Sequence, residues 1–147
     1  MSKVLFLDCD GVLNNETTTI ISPVGYIGLD PRNFDVLVDF VNETGVDIVL
    51  TSTWQNNPGM YAYLCDELEK VGLSIAGVTH ERSIRRGKGV TDYIKKHNVE
   101  HWVVFDDYVF PDFEAEGIIP HLILTDFYEG LLPQDIIRAK MILNEEY

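Results

Sequence analysis

The sequence predicts a three-layer α/β domain built on a Rossmann-like parallel sheet. Unbroken apolar runs of strand length alternate along the chain with stretches whose apolar residues recur at helical spacing. Proline, glycine and aspartate stand where these helices are expected to begin and end. The length of 147 residues and the 46% hydrophobic content suit one compact domain, residues 1–147.

The first predicted strand is the apolar run at 3–8, because a strand covered by helices on both faces is apolar throughout. Asp30 and Pro31 supply an N-cap and a first-turn proline for a helix that continues to Gly45. A second strand is predicted at 46–51. Residues 11–29 are expected to form a loop or a small hairpin flap, too short for a cap domain.

The rest of the chain continues this alternation. Helical spacing and apolar runs predict, in order, a helix at 58–71, a weaker strand at 73–78, a helix at 88–97, a strand at 102–105, a strand at 118–124 and a helix from Pro133. No internal repeat, linker or low-complexity tract interrupts the pattern.

Charge limits the partners that the protein can bind. The formal net charge of −13 repels polyanions and anionic membranes over most of the surface, so any nucleic-acid contact must be local. A small positive island, or else a solvated loop, is expected where four basic residues fall within 81–88: Arg82, Arg85, Arg86 and Lys88. Cys9 and Cys65 form no C-x-x-C pair, and no signal segment or membrane-spanning run is apparent, so we expect a cytoplasmic protein.

Polar side chains stand where three predicted strands end. They are Asp8, Cys9 and Asp10 after the first strand, Thr51 and Ser52 after the second, and Asp106 and Asp107 after the fourth. Sites in open parallel sheets form beyond the carboxyl ends of the strands. Four neighbouring carboxylates repel one another unless a cation neutralises them, and an all-oxygen set suits Mg²⁺ rather than zinc. The alternative is that each aspartate merely follows a strand.

The segment 8–13, DCDGVL, resembles the D-x-D-G-[VT]-[LI] signature of the haloacid dehalogenase (HAD) superfamily, whose members are mostly phosphatases. Residues 48–51 resemble its second motif, Lys88 its third and 104–107 its fourth, in the family's order. Features at 29–31, 51–54 and 125–131 resemble small capless members, including domains associated with RNA-repair proteins. With this resemblance we expect a HAD-like sheet of order 3-2-1-4-5 and no large cap.

The resemblance also implies catalytic roles. Asp8 would attack phosphorus to form an aspartyl phosphate, and Asp10 would protonate the leaving oxygen and then deprotonate water. Asp8, the backbone carbonyl of Asp10, and Asp106 with Asp107 would hold Mg²⁺. Thr51 and Lys88 would donate to the phosphoryl oxygens, with Ser52 and Arg86 binding substrate.

Three assignments stay open at this point. Ser52 could replace Thr51, Arg86 could replace Lys88, and Asp107 with Asp112 could form the metal pair. Trp54 is interpreted as a core residue rather than a substrate contact, and Cys9 as a small filler.

We expect a magnesium-dependent phosphomonoester hydrolase whose substrate is either a small phosphate ester or a nucleic-acid terminal phosphate, because a site without a lid could admit a polymer end. A non-catalytic phospho-ligand binding domain or a receiver-like signalling domain is the alternative. The order of the motifs along the chain argues against a receiver domain. A receiver would have its Lys after the Thr, on a late strand, whereas here Lys88 precedes Asp106. The match His97-x-x-Glu100-His101 to a zinc-peptidase pattern requires one continuous helix, which Asn98 disfavours.

Overall fold

The computed structural model describes residues 2–80 and 84–144. In this part of the chain five strands alternate with four α-helices, apart from two short 3₁₀ turns. The strands are β1 (Lys3–Leu7), β2 (Asp47–Leu50), β3 (Ile75–Val78), β4 (His101–Asp106) and β5 (Leu122–Leu124), and the helices are α1 (Pro31–Thr44), α2 (Pro58–Lys70), α3 (Arg86–His97) and α4 (Pro133–Leu143).

The five strands form one parallel sheet of order β3-β2-β1-β4-β5, which confirms the predicted order. The central strand β1 pairs on both sides, with Leu7 opposite Leu50 of β2 and opposite Phe105 of β4. The carboxyl ends of these three strands therefore lie side by side, and the residues that follow them meet at one edge of the sheet.

Apolar clusters cover both faces of the sheet and produce the three layers. Side chains of successive β1 residues point to opposite faces, so Leu5 and Leu7 pack with α1, α2 and α4 on one face. Val4 and Phe6 pack with α3 and the segment after β4 on the other. A strand buried on both faces is apolar along nearly all of its length, which is why the sequence predicted this strand, at 3–8.

Residues 11–29 form a small hairpin rather than a cap domain. An antiparallel bridge joins Ile21 to Ile27, and the backbone N–H of Ser22 donates to the carbonyl of Tyr26 at 2.8 Å. The hairpin is tied to α2, since the hydroxyl of Tyr63 accepts from the N–H of Leu29 at 3.0 Å. We call residues 11–29 the flap.

Helix α3 begins at Arg86, two residues before the predicted start. The carboxylate of Asp112 causes this difference, because its two oxygens accept from the backbone N–H groups of Gly87 at 2.9 Å and Lys88 at 2.8 Å. The cap comes from a loop distant in sequence, so local patterns around residue 86 do not reveal it. Residues 81–83, which include Arg82 of the predicted positive island, lie outside the described residues.

The fifth strand is shorter than predicted. A 3₁₀ turn at Ile119–His121 precedes β5, because Pro120 has no N–H to donate to a neighbouring strand. Helix α3 ends at His97 with Asn98 in the left-handed conformation, and His101 already belongs to β4. The two histidines therefore do not share a helix, which rules out the zinc-peptidase interpretation. Between residues 2 and 144, apart from 81–83, the helices are too short or too polar to span a bilayer.

Candidate active site

Sheet hydrogen bonding continues one residue past the strands and fixes the candidate site. The N–H of Asp8 donates to the carbonyl of Phe105, and the N–H of Thr51 donates to the carbonyl of Leu7, both at 2.9 Å. Asp8, Thr51 and Asp106 are consequently buried side by side, with exposed fractions of 6%, 0% and 0%.

Three carboxylates form a cluster at this edge of the sheet. Asp8, Asp106 and Asp107 each present an oxygen within 4.8 Å of the others. Burial, together with the negative charge of Asp106, raises the pKa of Asp8 well above its ordinary value. Burial likewise raises the pKa of Asp106 to about 6, although the Arg86 guanidinium opposes the shift. Closely spaced carboxylate oxygens that repel one another fit a hard divalent cation bound among them.

Within residues 2–80 and 84–144, Arg86 is the basic residue that pairs with this cluster. Its Nη1 lies 3.2 Å from Asp8 Oδ1 and 3.0 Å from Asp106 Oδ2, and its side chain is 8% exposed. The guanidinium also lies over the ring of Phe110, 4.3 Å from the ring centroid. Among the described residues, this places one guanidinium beside three carboxyl groups.

The side chains of Lys88 and Asp112 do not join the carboxylate cluster. The Nζ of Lys88 pairs with Asp92 at 2.8 Å, and the Lys88 side chain is 46% exposed. Both oxygens of Asp112 bind the start of α3, and Asp112 does not belong to the group of three close carboxylates. The structure thus brings Arg86 rather than Lys88, and Asp106 with Asp107 rather than Asp112, to the cluster around Asp8.

The hydroxyls of Thr51 and Ser52 have different surroundings. Thr51 Oγ1 is buried and has no hydrogen-bond partner within residues 2–80 and 84–144. Ser52 Oγ accepts from the N–H of Trp54 at 3.2 Å. A buried polar atom without a partner costs free energy, so the Thr51 hydroxyl is the one available to an oxygen of a ligand.

Cys9 is a buried filler, as the sequence suggested. The pKa of its thiol is raised well above the ordinary value, first by burial and then by the charge of Asp8. A thiol held in its neutral form is a poor nucleophile and a poor metal ligand.

The carboxylate of Asp10 lies apart from the cluster and is held by two neutral donors. Its Oδ2 accepts from Trp54 Nε1 at 3.1 Å and its Oδ1 accepts from Asn14 Nδ2 at 3.0 Å. Asp10 is exposed, whereas the indole of Trp54 is 3% exposed. Trp54 is therefore a core residue, as predicted, and in addition it orients Asp10, which the sequence did not reveal. Gln55 is structural, because its side chain links the N–H of Ser52 to the carbonyl of Thr79.

The loop after β1 depends on Gly11 and Asn14. Gly11 has φ 77°, and a Cβ there would lie 2.1 Å from Asp107 Oδ2, so only glycine fits beneath that carboxylate. The fully buried Asn14 accepts from the N–H of Gly11 at 2.8 Å and donates to the carbonyl of Gly28 at 3.2 Å. Thr125 fixes the same loop by donating to the carbonyl of Gly11 at 2.7 Å. Gly11 was visible in the 8–13 motif, but no sequence pattern pointed to Asn14.

Residues 4–136 match the family model described as the HAD domain in Swiss Army Knife RNA repair proteins. The match spans most of the chain. This protein belongs to that family. Membership confirms the resemblance seen in the sequence and supports hydrolysis of phosphoesters as the general activity.

Among solved structures, the chain is similar to the cobalt-bound form of deoxy-D-mannose-octulosonate 8-phosphate phosphatase (YrbI) from Haemophilus influenzae. The TM-score is 0.49 and the sequence identity is 15%, with 99% of this chain and 89% of that chain covered. No curated protein matches the chain.

Proposed function

We propose that this domain is a magnesium-dependent phosphomonoester hydrolase that acts through an aspartyl phosphate on Asp8. The observation that carries the proposal is the division of acidic groups at the sheet edge. Asp8 lies in a buried carboxylate cluster beside Arg86, whereas Asp10 is exposed and held by neutral donors. Two carboxylates in different surroundings can take the two different roles that phosphate-ester hydrolysis needs.

In the first step, a carboxylate oxygen of Asp8 forms a bond to phosphorus while the ester P–O bond breaks. The electron pair of that bond stays on the leaving oxygen, which takes a proton from Asp10 and departs as an alcohol. In the second step, Asp10 accepts a proton from water as the water oxygen bonds to phosphorus. The bond between phosphorus and Asp8 then breaks, inorganic phosphate leaves, and both aspartates return to their starting states.

Asp8, Asp106 and Asp107, together with the backbone carbonyl of Asp10, would hold Mg²⁺. When bound, the ion supplies positive charge that favours ionised Asp8 and offsets the negative charge of the phosphoryl group. Arg86 and the Thr51 hydroxyl would donate to the phosphoryl oxygens. We thereby assign to Arg86 the cationic role that the sequence motif assigned to Lys88.

Two substrate sources are compatible with this mechanism: a small phosphate ester, and the terminal phosphate of a nucleic acid. The second is favoured by the family's description as domains of RNA repair proteins and by the absence of a cap domain within the described residues. A net charge of −13 restricts contact with a polynucleotide to its end.

The test is hydrolysis of a generic aryl phosphate by the wild type with Mg²⁺, by the wild type with EDTA, and by Asp8→Asn. We expect turnover only in the first case, with phosphate trapped on Asp8 after acid quenching. Asp92→Asn is the matched control, because it removes an exposed carboxylate that pairs with Lys88 outside the cluster. Turnover that survives Asp8→Asn would contradict the mechanism, and phosphate binding without turnover would favour a phospho-ligand binding domain.

A further inference from the structure

A pocket of about 380 Å³ adjoins the side chain of Asp10. Its volume lies within the range of about 300–1,000 Å³ common for small-molecule sites. The residues around it come from five segments: the residues just after β1, the flap, the turn after β2, the start of α2 and the segment after β5. They are Asp10, Tyr26, Ile27, Thr53, Trp54, Asn57, Met60 and Phe127.

The floor of the pocket is rigid and reaches Asp10. Trp54 and Met60 are 3% and 2% exposed, so both are fixed by the core beneath them. Trp54 Nε1 donates to Asp10 Oδ2 at 3.1 Å, so the indole that forms the floor also touches the proposed general acid. A group that fills the pocket therefore lies on the side where the leaving oxygen takes its proton.

Two aromatic walls rise from this floor. Tyr26 and Phe127 are 61% and 42% exposed, although both are large and apolar in most of their surface. Their backbones are fixed: the carbonyl of Tyr26 accepts from Ser22, and the carbonyl of Phe127 accepts from Glu16 at 2.7 Å. The backbone that carries each ring is thus held in place before any ligand binds.

The flap that carries Tyr26 is docked closely on α2. A Cβ added to Gly59 would lie 2.5 Å from Val24 Cγ1, which shows how near the flap tip comes to the helix. This contact keeps the flap against the start of α2 and holds the pocket open between the flap and Phe127.

Charge indicates what kind of group the pocket accepts. Of the eight residues that line it, Asp10 is the one acidic residue, and none is a lysine, an arginine or a histidine. A second phosphate or a carboxylate would find no cation there. Flat, uncharged rings stack well on exposed aromatic faces, and such stacking tolerates different bases because every base has a π-face.

We infer that this pocket is the leaving-group subsite and that it takes a nucleobase, so that nucleotide phosphate esters are preferred over aliphatic ones. The inference rests on the proposed function and chooses between its two substrate sources. Tyr26 and Phe127 determine specificity in this scheme by stacking on the base, while Asp8 and Asp10 carry out the chemistry.

The kinetic test compares kcat/KM for a nucleoside 3′-monophosphate with that for glycerol phosphate. We expect Tyr26→Ala and Phe127→Ala each to lower the value for the nucleotide between about fivefold and about 150-fold, and to lower that for glycerol phosphate far less, because glycerol has no ring to stack. Tyr26→Phe retains the ring and should restore the preference. Tyr128→Ala is the matched control, because Tyr128 is 71% exposed, adjacent to Phe127, and not part of the pocket lining. Equal effects of the pocket variants on both esters would overturn the inference.

A binding measurement separates this inference from the proposed function. The chain has two tryptophans, so in a Trp102→Phe background the emission comes from Trp54 at the pocket floor. We expect free adenosine, added without metal, to change this emission in a saturable way that Phe127→Ala abolishes. Adenosine binding without any phosphatase turnover would support the pocket and contradict the proposed function. Turnover of both esters with no adenosine binding would support the proposed function and overturn the inference about the pocket.

Discussion

We expect the Thr51 hydroxyl to contribute to catalysis but not to the stability of the fold. Because it is buried without a partner in the described part of the chain, Thr51→Val removes an unsatisfied polar group and keeps the shape of the side chain. We expect the free energy of unfolding to stay the same or rise, while kcat falls by about 10²–10³, as on loss of one donor to developing charge. Urea unfolding and steady-state kinetics on the same preparation would show both effects.

Ser52→Ala is the matched comparison. The Ser52 hydroxyl accepts from the N–H of Trp54 and so caps a short turn. We expect this variant to lose about 0.5–2 kcal/mol of stability, as for a typical N-cap. A destabilised Thr51→Val beside an unaffected Ser52→Ala would assign the structural role to Thr51 instead.

At the scale of a helix, the placement of α3 decides which basic residue lies beside the carboxylate cluster. Arg86→Met would leave buried carboxylates without their cation, at a cost of about 3–5 kcal/mol, and we expect activity to be lost. Lys88→Met removes only an exposed pair with Asp92, worth about 0.3–0.5 kcal/mol, and should retain activity. Thermal unfolding and aryl phosphate turnover measure the two effects.

A charge-conserving variant shows whether Arg86→Met loses activity only because it unfolds. Arg86→Lys keeps the positive charge beside Asp8 but loses the planar fork of donors. We expect this variant to fold and to hydrolyse the aryl phosphate more slowly than the wild type does. Loss of activity in Lys88→Met with full activity in Arg86→Met would restore Lys88 to the role that the sequence motif suggested.

The same helix shows where sequence patterns stop being informative. Strand β1 and the cap of α1 at Asp30 follow from local rules, apolar runs and capping residues, and both were predicted at the right places. Helix α3 was predicted to begin at Lys88, but it begins at Arg86. The prediction missed this start because the cap comes from Asp112, which is distant in sequence. Local spacing alone could not choose between Arg86 and Lys88.

The sequence predicted which side chains meet at the sheet edge as far as strand ends determine it. Asp8, Thr51 and Asp106 follow β1, β2 and β4, which the strand order places together. The contacts of Asn14 and Trp54 with Asp10 were not predictable, because they depend on how the loop after β1 and the turn after β2 approach each other. The pocket beside Asp10 was missed for the same reason.

At the scale of the whole molecule, we expect the carboxylate cluster to couple metal binding to folding. A cation that binds only the folded state stabilises it, by about 2.7 kcal/mol at a concentration 100 times Kd. We therefore expect saturating Mg²⁺ to raise the Tm of the wild type by about 5–10 °C. Scanning calorimetry with and without MgCl₂ would measure this increase.

The control for this prediction must separate specific binding from screening, because a net charge of −13 makes any salt stabilising. NaCl at matched ionic strength gives the screening contribution in the wild type. Asp106→Asn removes one of the three clustered carboxylates, and we expect its Tm to respond to MgCl₂ no more than to NaCl. Equal responses of both proteins to MgCl₂ would place the bound ion elsewhere.

The segment from Asp106 to Asp112 has a consequence for engineering. One end of it supplies two carboxylates of the cluster, and the other end caps the helix that presents Arg86. One continuous stretch of chain thus links the acidic and basic halves of the site, in addition to the sheet that holds Asp8 and Asp106 side by side. Transplanting the site onto another parallel scaffold would require moving residues 106–112 together with residues 86–88. A one-residue deletion between Asp107 and Asp112 should disturb both the carboxylate cluster and the helix start that presents Arg86.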